Sequence, residues 1–197
     1  MCRVLGLCAR ELSAVGIAQM QDVAWGAGRD TVDALQLGID EINAKGGVLG
    51  RKLTLAVEDE TMDPQQGVSA VNKLTADNKV DVLIGGYNSG VTLAQEPHIA
   101  EAKTIYLGIG SASPSITNFV KRDYARYKYI FRVNPINAAR QAEQLAEFVT
   151  GKLKDGMGFK KIAIIGENAK WVQDLAPVLK AAAVKGGVEV PMLELFD

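Results

Sequence analysis

The stretch VDVLIGGYNSGVT, residues 80–92, decides the fold. Its first half is a short apolar run rich in branched side chains, the pattern of a strand covered on both faces. Gly85 and Gly86 break the run, and Asn88-Ser89-Gly90 lead into a segment of helical period over 90–103. A strand that feeds a glycine turn and then a helix is half of a βαβ unit.

Outward from this unit the rhythm repeats. Upstream, strands are predicted over 15–20 and 53–57, with a helix over 31–44 whose apolar set is Val32, Leu35, Leu37, Ile39 and Ile42. Lys45-Gly46-Gly47 stops that helix, because glycine accepts a left-handed C-cap. Asp63-Pro64 opens the next helix, with Asp63 as cap and Pro64 at the first helical position, where its missing N–H costs nothing. Downstream, strands over 104–109, 129–133, 161–165 and 188–195 alternate with helices over 115–120, 138–154 and 170–185. The prediction is an α/β protein, a doubly wound parallel sheet with right-handed crossovers.

Asn134-Pro135 interrupts the rhythm, since the residue before proline is pushed out of the α region. The chain therefore divides into a leader over 1–13, a first lobe over 14–134, and the beginning of a second α/β lobe over 135–197. Two helices and two strands are too few to bury a second doubly wound sheet, so that lobe is expected to be incomplete.

Composition narrows the function classes. The 197 residues carry 22 Lys plus Arg against 23 Asp plus Glu, a net charge of -1, with no basic surplus for a phosphate backbone. Nucleic acid is excluded as a partner on that ground. No run approaches the roughly 18 consecutive apolar residues of a membrane-spanning helix. The opening run Val4-Leu5-Gly6-Leu7-Cys8 is shorter than the about 7 to 15 residues of a secretory signal core and carries a single preceding positive charge. Cys2 and Cys8 both fall in the leader, and Leu7 is too bulky to precede a lipidated cysteine. Two Cys and one His make no metal site, and neither a metal nor another cofactor is expected.

In an open parallel sheet, ligands settle in the crevice beyond the carboxyl ends of the strands. Four loops there carry usable chemistry. In Gly85-Gly86-Tyr87-Asn88-Ser89-Gly90, free amides at a helix start favour an anion, and the Ser89 hydroxyl adds a donor. On the residues alone a plain helix cap by Asn88 or Ser89 is the favoured reading, such caps being common. In Gly108-Ile109-Gly110-Ser111-Ala112-Ser113-Pro114, glycines let backbone approach a ligand closely. Trp25 and Trp171 follow the first and sixth strands in polar loops, each offering apolar area and one N–H donor.

The order of segments and several phrases resemble the branched-chain amino-acid type of periplasmic substrate-binding protein, the receptor of an ABC importer with a two-lobed type I fold. The phrases are IDEINAKGGVLGRKLTLAVEDE at 39–60, DPQQGVSAVNKL at 63–74, VDVLIGGYNSGVT at 80–92, SASPSIT at 111–117 and YKYIFRVNP at 127–135. Members of that family are about twice this length. The resemblance implies a non-catalytic protein that captures an amino acid in the periplasm, or at the cell surface, and delivers it to an ABC permease. It assigns Ser89 to the ligand carboxylate, the Gly110 carbonyl to the ammonium, and Trp25 and Trp171 to the ligand side chain. With Asn88, Ser111 and Ala112, these complete the candidate ligand site. The family has a threonine hydroxyl at the position of Ala112, which is missing here; Ser111 and Ser113 flank the gap, and the loss leaves an amide, a carboxylic acid or an altered amino acid open as ligand. Its early disulfide is missing too, its two positions being Met62 and Asn88. A first lobe with half the clamp missing is expected to bind ligand weakly or not at all. A ligand sensor of a signalling system is the alternative reading.

Other signals are set aside. Gly26-Ala27-Gly28 and Gly108-Ile109-Gly110 do not complete a dinucleotide fingerprint, and no P-loop lysine follows. His98, the single histidine, falls inside a helix and is read as a surface residue; no G-x-S-x-G elbow exists. Glu58-Asp59-Glu60 is read as a solvated strand end. The basic and aromatic residues of 121–132 are interrupted by Asp123 and read as a surface helix running into a buried strand.

Overall fold

A computed structural model of the chain describes residues 15–19, 27–134 and 137–197, with backbone alone for 15–19 and Ala27. The leader, Trp25 and the Pro135 bend lie outside the described residues. Five strands form one parallel sheet in the order β2-β1-β3-β4-β5: β1 Val15–Gln19, β2 Leu55–Asp59, β3 Val82–Gly85, β4 Ile105–Gly108 and β5 Ile130–Arg132. Between them run α1 Ala27–Ala44, α2 Pro64–Asn72, α3 Ser89–Ala102, α4 Ser115–Arg122 and the single turn α5 Tyr124–Tyr127. The order reverses between β1 and β3, so right-handed crossovers place α1 on one face and the later helices on the other. This is the doubly wound α/β architecture that the alternation of segments predicts.

A second parallel sheet pairs β6 Lys161–Glu167 with β7 Glu189–Phe196. Before β6 comes α6 Ala138–Glu147, prolonged by π-type turns over Phe148–Gly156, and α7 Lys170–Lys185 joins the two strands.

Local chemistry sets these boundaries. The Asp63 carboxylate accepts from the amides of Gln65 at 2.7 Å and Gln66 at 3.0 Å, with Pro64 beginning α2 as expected. Asn137 caps α6 in the same way, through Ala139 and Arg140. The second strand starts two residues later than predicted because the Asn43 side chain occupies Leu53, accepting from its N–H at 2.7 Å and donating to its carbonyl at 2.9 Å. Both ladder groups of Leu53 are thereby spent.

Two apolar clusters result. Under the five-stranded sheet, Val71, Leu74, Leu83, Ile99 and Tyr106 are sealed from solvent. Around the second sheet the cluster is built on small side chains, among them Ala142, Ala146, Ala176 and Ala183, which let α6 and α7 approach closely. One expectation is corrected. The predicted apolar face of α1 is only partly covered: Ile39 is buried, but Leu37 is 62% exposed and Ile42 40% exposed. A periodic pattern gives the spacing of apolar residues and says nothing of what covers them.

Leu83 lies mid-strand with no exposed surface. Leu83→Ala is expected to cost about 2–5 kcal/mol of unfolding free energy in urea, whereas Leu37→Ala is expected to stay within about 0.5 kcal/mol of the native protein.

Candidate ligand-binding cleft

The loops after β3 and β4 lie in contact. Gly85 and Gly108 are register partners at the strand ends, and beyond them Ile109 donates to the Gly85 carbonyl while Gly110 and Ser111 both donate to that of Gly86. Such proximity excludes side chains. A Cβ on Gly86, whose φ is +77°, would stand 2.0 Å from the Tyr106 hydroxyl, and one on Gly110 would stand 2.9 Å from the Gly86 carbonyl. Ser89, in the first turn of α3, adds a second fastening: its Oγ accepts from the amides of Ala112 and Ser113, both at 3.1 Å. Thr92 and Ser111 share a hydroxyl hydrogen bond of 2.6 Å behind them.

The loop after β4 also reaches the second sheet. The Ala138 amide at the start of α6 donates to the Ala112 carbonyl at 2.9 Å, and the Ser113 hydroxyl donates to the Asp174 carboxylate of α7 at 2.5 Å. Lys170 pairs with the other oxygen of Asp174. From β5, the Arg132 guanidinium donates to the Ser113 carbonyl at 2.5 Å. A cleft of about 310 Å³ opens beside this junction. One wall is Met62, Tyr87, Gly110 and Ala112; the other is Gln141 of α6, Glu167 at the end of β6 and Trp171 in the first turn of α7. The Trp171 indole N–H donates to Glu167 Oε1 at 2.9 Å, holding ring and carboxylate as a unit.

Residues 22–194 match the periplasmic binding protein family. That span covers most of the chain. This chain belongs to the periplasmic binding protein family. The Leu/Ile/Val-binding protein BraC3 of Rhizobium johnstonii is 31% identical over 161 residues, covering 82% of this chain and 41% of its own. The isoleucine-bound LivJ of Streptococcus pneumoniae superposes with a TM-score of 0.77 at 20% identity, over 93% of this chain and 49% of that one. A solute-binding protein of Rhodopseudomonas palustris, solved with 3,4-dihydroxybenzoic acid, gives 0.76 at 20% identity, over 92% and 46%. The likeness establishes the type I fold, and the chain spans about half the length of these relatives.

Within this periplasmic binding protein, three of the seven predicted site residues line the cleft: Gly110, Ala112 and Trp171. Asn88, Ser89 and Ser111 are not part of its lining, and Trp25 is outside the described residues. Asn88 caps α3, its Oδ1 accepting from Gly90 at 2.8 Å and Val91 at 3.1 Å, so the helix-start amides that an anion would use are already paired. Ser113, a candidate to replace the missing hydroxyl at 112, is committed to Asp174, as Ser111 is to Thr92. Met62, Tyr87, Gln141 and Glu167 complete the lining, none of them among the predicted site residues. Tyr87 and Glu167 had a usable signal, since both sit at the carboxyl end of a strand; Gln141 had none, being one polar residue on an amphipathic helix.

The acidic strand end needs correction. Glu60 is fully buried, with Gln95 donating to its carboxylate at 2.8 Å and the Tyr87 amide at 3.4 Å, and burial pushes its carboxyl up to about 7. Glu96, one residue after Gln95 on α3, is equally buried, and neither oxygen has a hydrogen-bond partner among the described residues. Desolvation raises it to about 8 against the opposing pull of the Arg132 charge. His98, on α3, is half-buried. Among the described residues no group of three His, Cys, Asp or Glu side chains is placed to hold a metal ion.

A carboxyl whose folded value exceeds its ordinary 4.5 binds extra protons in the native state, so its contribution to stability is complete at low pH and is lost as pH rises through the folded value. The thermal midpoint is therefore expected to fall between about pH 5 and about pH 8, and Glu96→Gln, which keeps the shape and cannot ionise, is expected to flatten that fall. An unchanged slope in the variant contradicts the assignment.

Proposed function

We propose that this chain is the solute-capturing part of an ABC importer's binding protein and that it takes a branched-chain or related amino acid. Residues 14–134 form the first lobe and 135–197 the beginning of the second, with the connection after Asn134 acting as the hinge. The observation that carries this reading is the cleft itself: its walls come from the two sheets, and its lining mixes apolar and aromatic surface with a few polar groups. Solute-binding relatives named for leucine, isoleucine and valine support the amino-acid class.

The mechanism follows from the fastening of the loops. The solute carboxylate takes the Ala112 amide over from Ser89 Oγ, and the Ser89 hydroxyl, whose oxygen had served two amides, donates its own hydrogen to the same anion. The Gly110 carbonyl faces the ammonium. Trp171 covers the side chain from the second lobe and closes the cleft, the closed form being what the permease engages. No bond of the solute is made or broken. The compartment is the periplasm or cell surface, where such receptors meet their permease.

Titration of the 197-residue chain with leucine, isoleucine, valine and simple amides, followed by tryptophan fluorescence and by NMR of the ligand, is expected to show weak saturable binding of the three amino acids and their recovery unchanged. Ser89→Ala is expected to weaken that binding roughly 10-fold or more, the cost of one hydrogen bond to a charged group. Failure of all three amino acids to bind the native chain sinks the proposal, and so does chemical turnover.

A further inference from the structure

Gln141 holds the unexplained polar atom of the cleft. Its Oε1 is buried and accepts from no donor among the described residues, although the side chain lines the cavity. A buried amide oxygen without a donor is rare and costly, so it is retained where something else supplies the hydrogen. The neighbouring cations do not supply it. Arg140, the preceding residue, is strongly exposed and pairs with Glu143 at 2.6 Å, and Lys170 is committed to Asp174. The position is also well defined. Asn137 caps α6, the Ala138 amide is fixed on the Ala112 carbonyl, and Gln141 follows one turn later, which brings its amide to the cavity wall beside Ala112.

The cleft is thus polarised. Donors lie on the loop side, in the amides of Ala112 and Ser113 that the Ser89 oxygen now holds. Besides the Gly110 carbonyl, side-chain acceptors lie on the other side, in Gln141 Oε1 and in Glu167, one of whose oxygens already takes the Trp171 indole. A ligand with an anion at one end and N–H donors a short distance away satisfies both walls, whereas a plain carboxylic acid leaves the Gln141 oxygen unpaired. We infer that Gln141 is a specificity-determining residue of the cleft, accepting a hydrogen from the ammonium of a zwitterionic solute and so supplying the acceptor that an alanine at position 112 does not. This rests on the amino-acid reading given above and adds to it the residue that favours a solute carrying the ammonium.

The test compares leucine with 4-methylpentanoate, which has the same chain and carboxylate but no ammonium, by ligand NMR on the native chain and on Gln141→Leu and Gln141→Glu. The native chain is expected to prefer leucine by about 10-fold or more, the price of an unpaired buried acceptor. Gln141→Leu is expected to cut that ratio to within about threefold by weakening leucine alone, and Gln141→Glu to preserve or enlarge it. A ratio unchanged in Gln141→Leu overturns the inference, as does equal weakening of both ligands, which would mean that the amide serves the carboxylate or merely packs. Failure of the native chain to bind leucine is a different result: it removes the amino-acid reading first, before any variant is compared.

Discussion

The approach of two loops to within hydrogen-bonding distance is the constraint on which the cleft depends. β3 and β4 are adjacent strands, so their following loops would normally separate as side chains fill the gap between them. Gly86 and Gly110 remove those side chains, and the Gly86 carbonyl takes two amides from the opposite loop. The Ser89 hydroxyl then binds two more. Four donors that a surface loop would leave to water are thus satisfied internally, and the strand ends become a fixed platform instead of a mobile rim. Two other residues of this wall depend on it: Tyr87 stands between the two glycines' contacts, and Ala112 is held by its amide on one side and its carbonyl on the other.

Behind the platform the chain buries polar groups at a density that packing alone does not require. Gln95 donates from α3 to Glu60 at the end of β2 and to the Gly67 carbonyl in α2, joining three elements through one side chain. Gly67 makes this possible, since a Cβ there would meet Val91 at 2.4 Å. The neutral form of Glu60 costs less to bury than its anion, which is why desolvation dominates its titration, and a neutral carboxyl can donate as well as accept. Because Glu60 also receives the Tyr87 amide, its protonation state bears on the loop that lines the cleft.

The sequence made the architecture legible because it is written in short-range signals: glycine after an apolar run, Asp-Pro at a helix start, a period that changes from strand to helix. Those same signals located the two loops that build the platform. They failed where a residue's role is set by distant partners. Glu60 reads as one of three acids at a strand end until Gln95, far along the chain, is seen to cover it. The start of β2 moved because of Asn43, ten residues away and in the preceding helix. Gln141 is indistinguishable from the other polar residues of α6 until α6 is laid against residue 112. For the site, periodicity and turn chemistry identify the elements that come together but not the side chains that face each other.

The segment 110–113 combines two tasks that are usually divided. Its amides belong to the platform of the first sheet, while the Ala112 carbonyl and the Ser113 hydroxyl anchor α6 and α7 of the second. A solute can favour closure only through contacts that differ between open and closed forms. Here any change in the hydrogen bonding of the Ala112 and Ser113 amides is made within one or two residues of the groups that hold α6 and α7. Arg132 reinforces this arrangement by fixing the Ser113 carbonyl from β5, just before the connection to the second sheet. A solute that rearranged the Ala112 and Ser113 amides would therefore act on covalent neighbours of the groups that anchor α6 and α7, with no relay through the core.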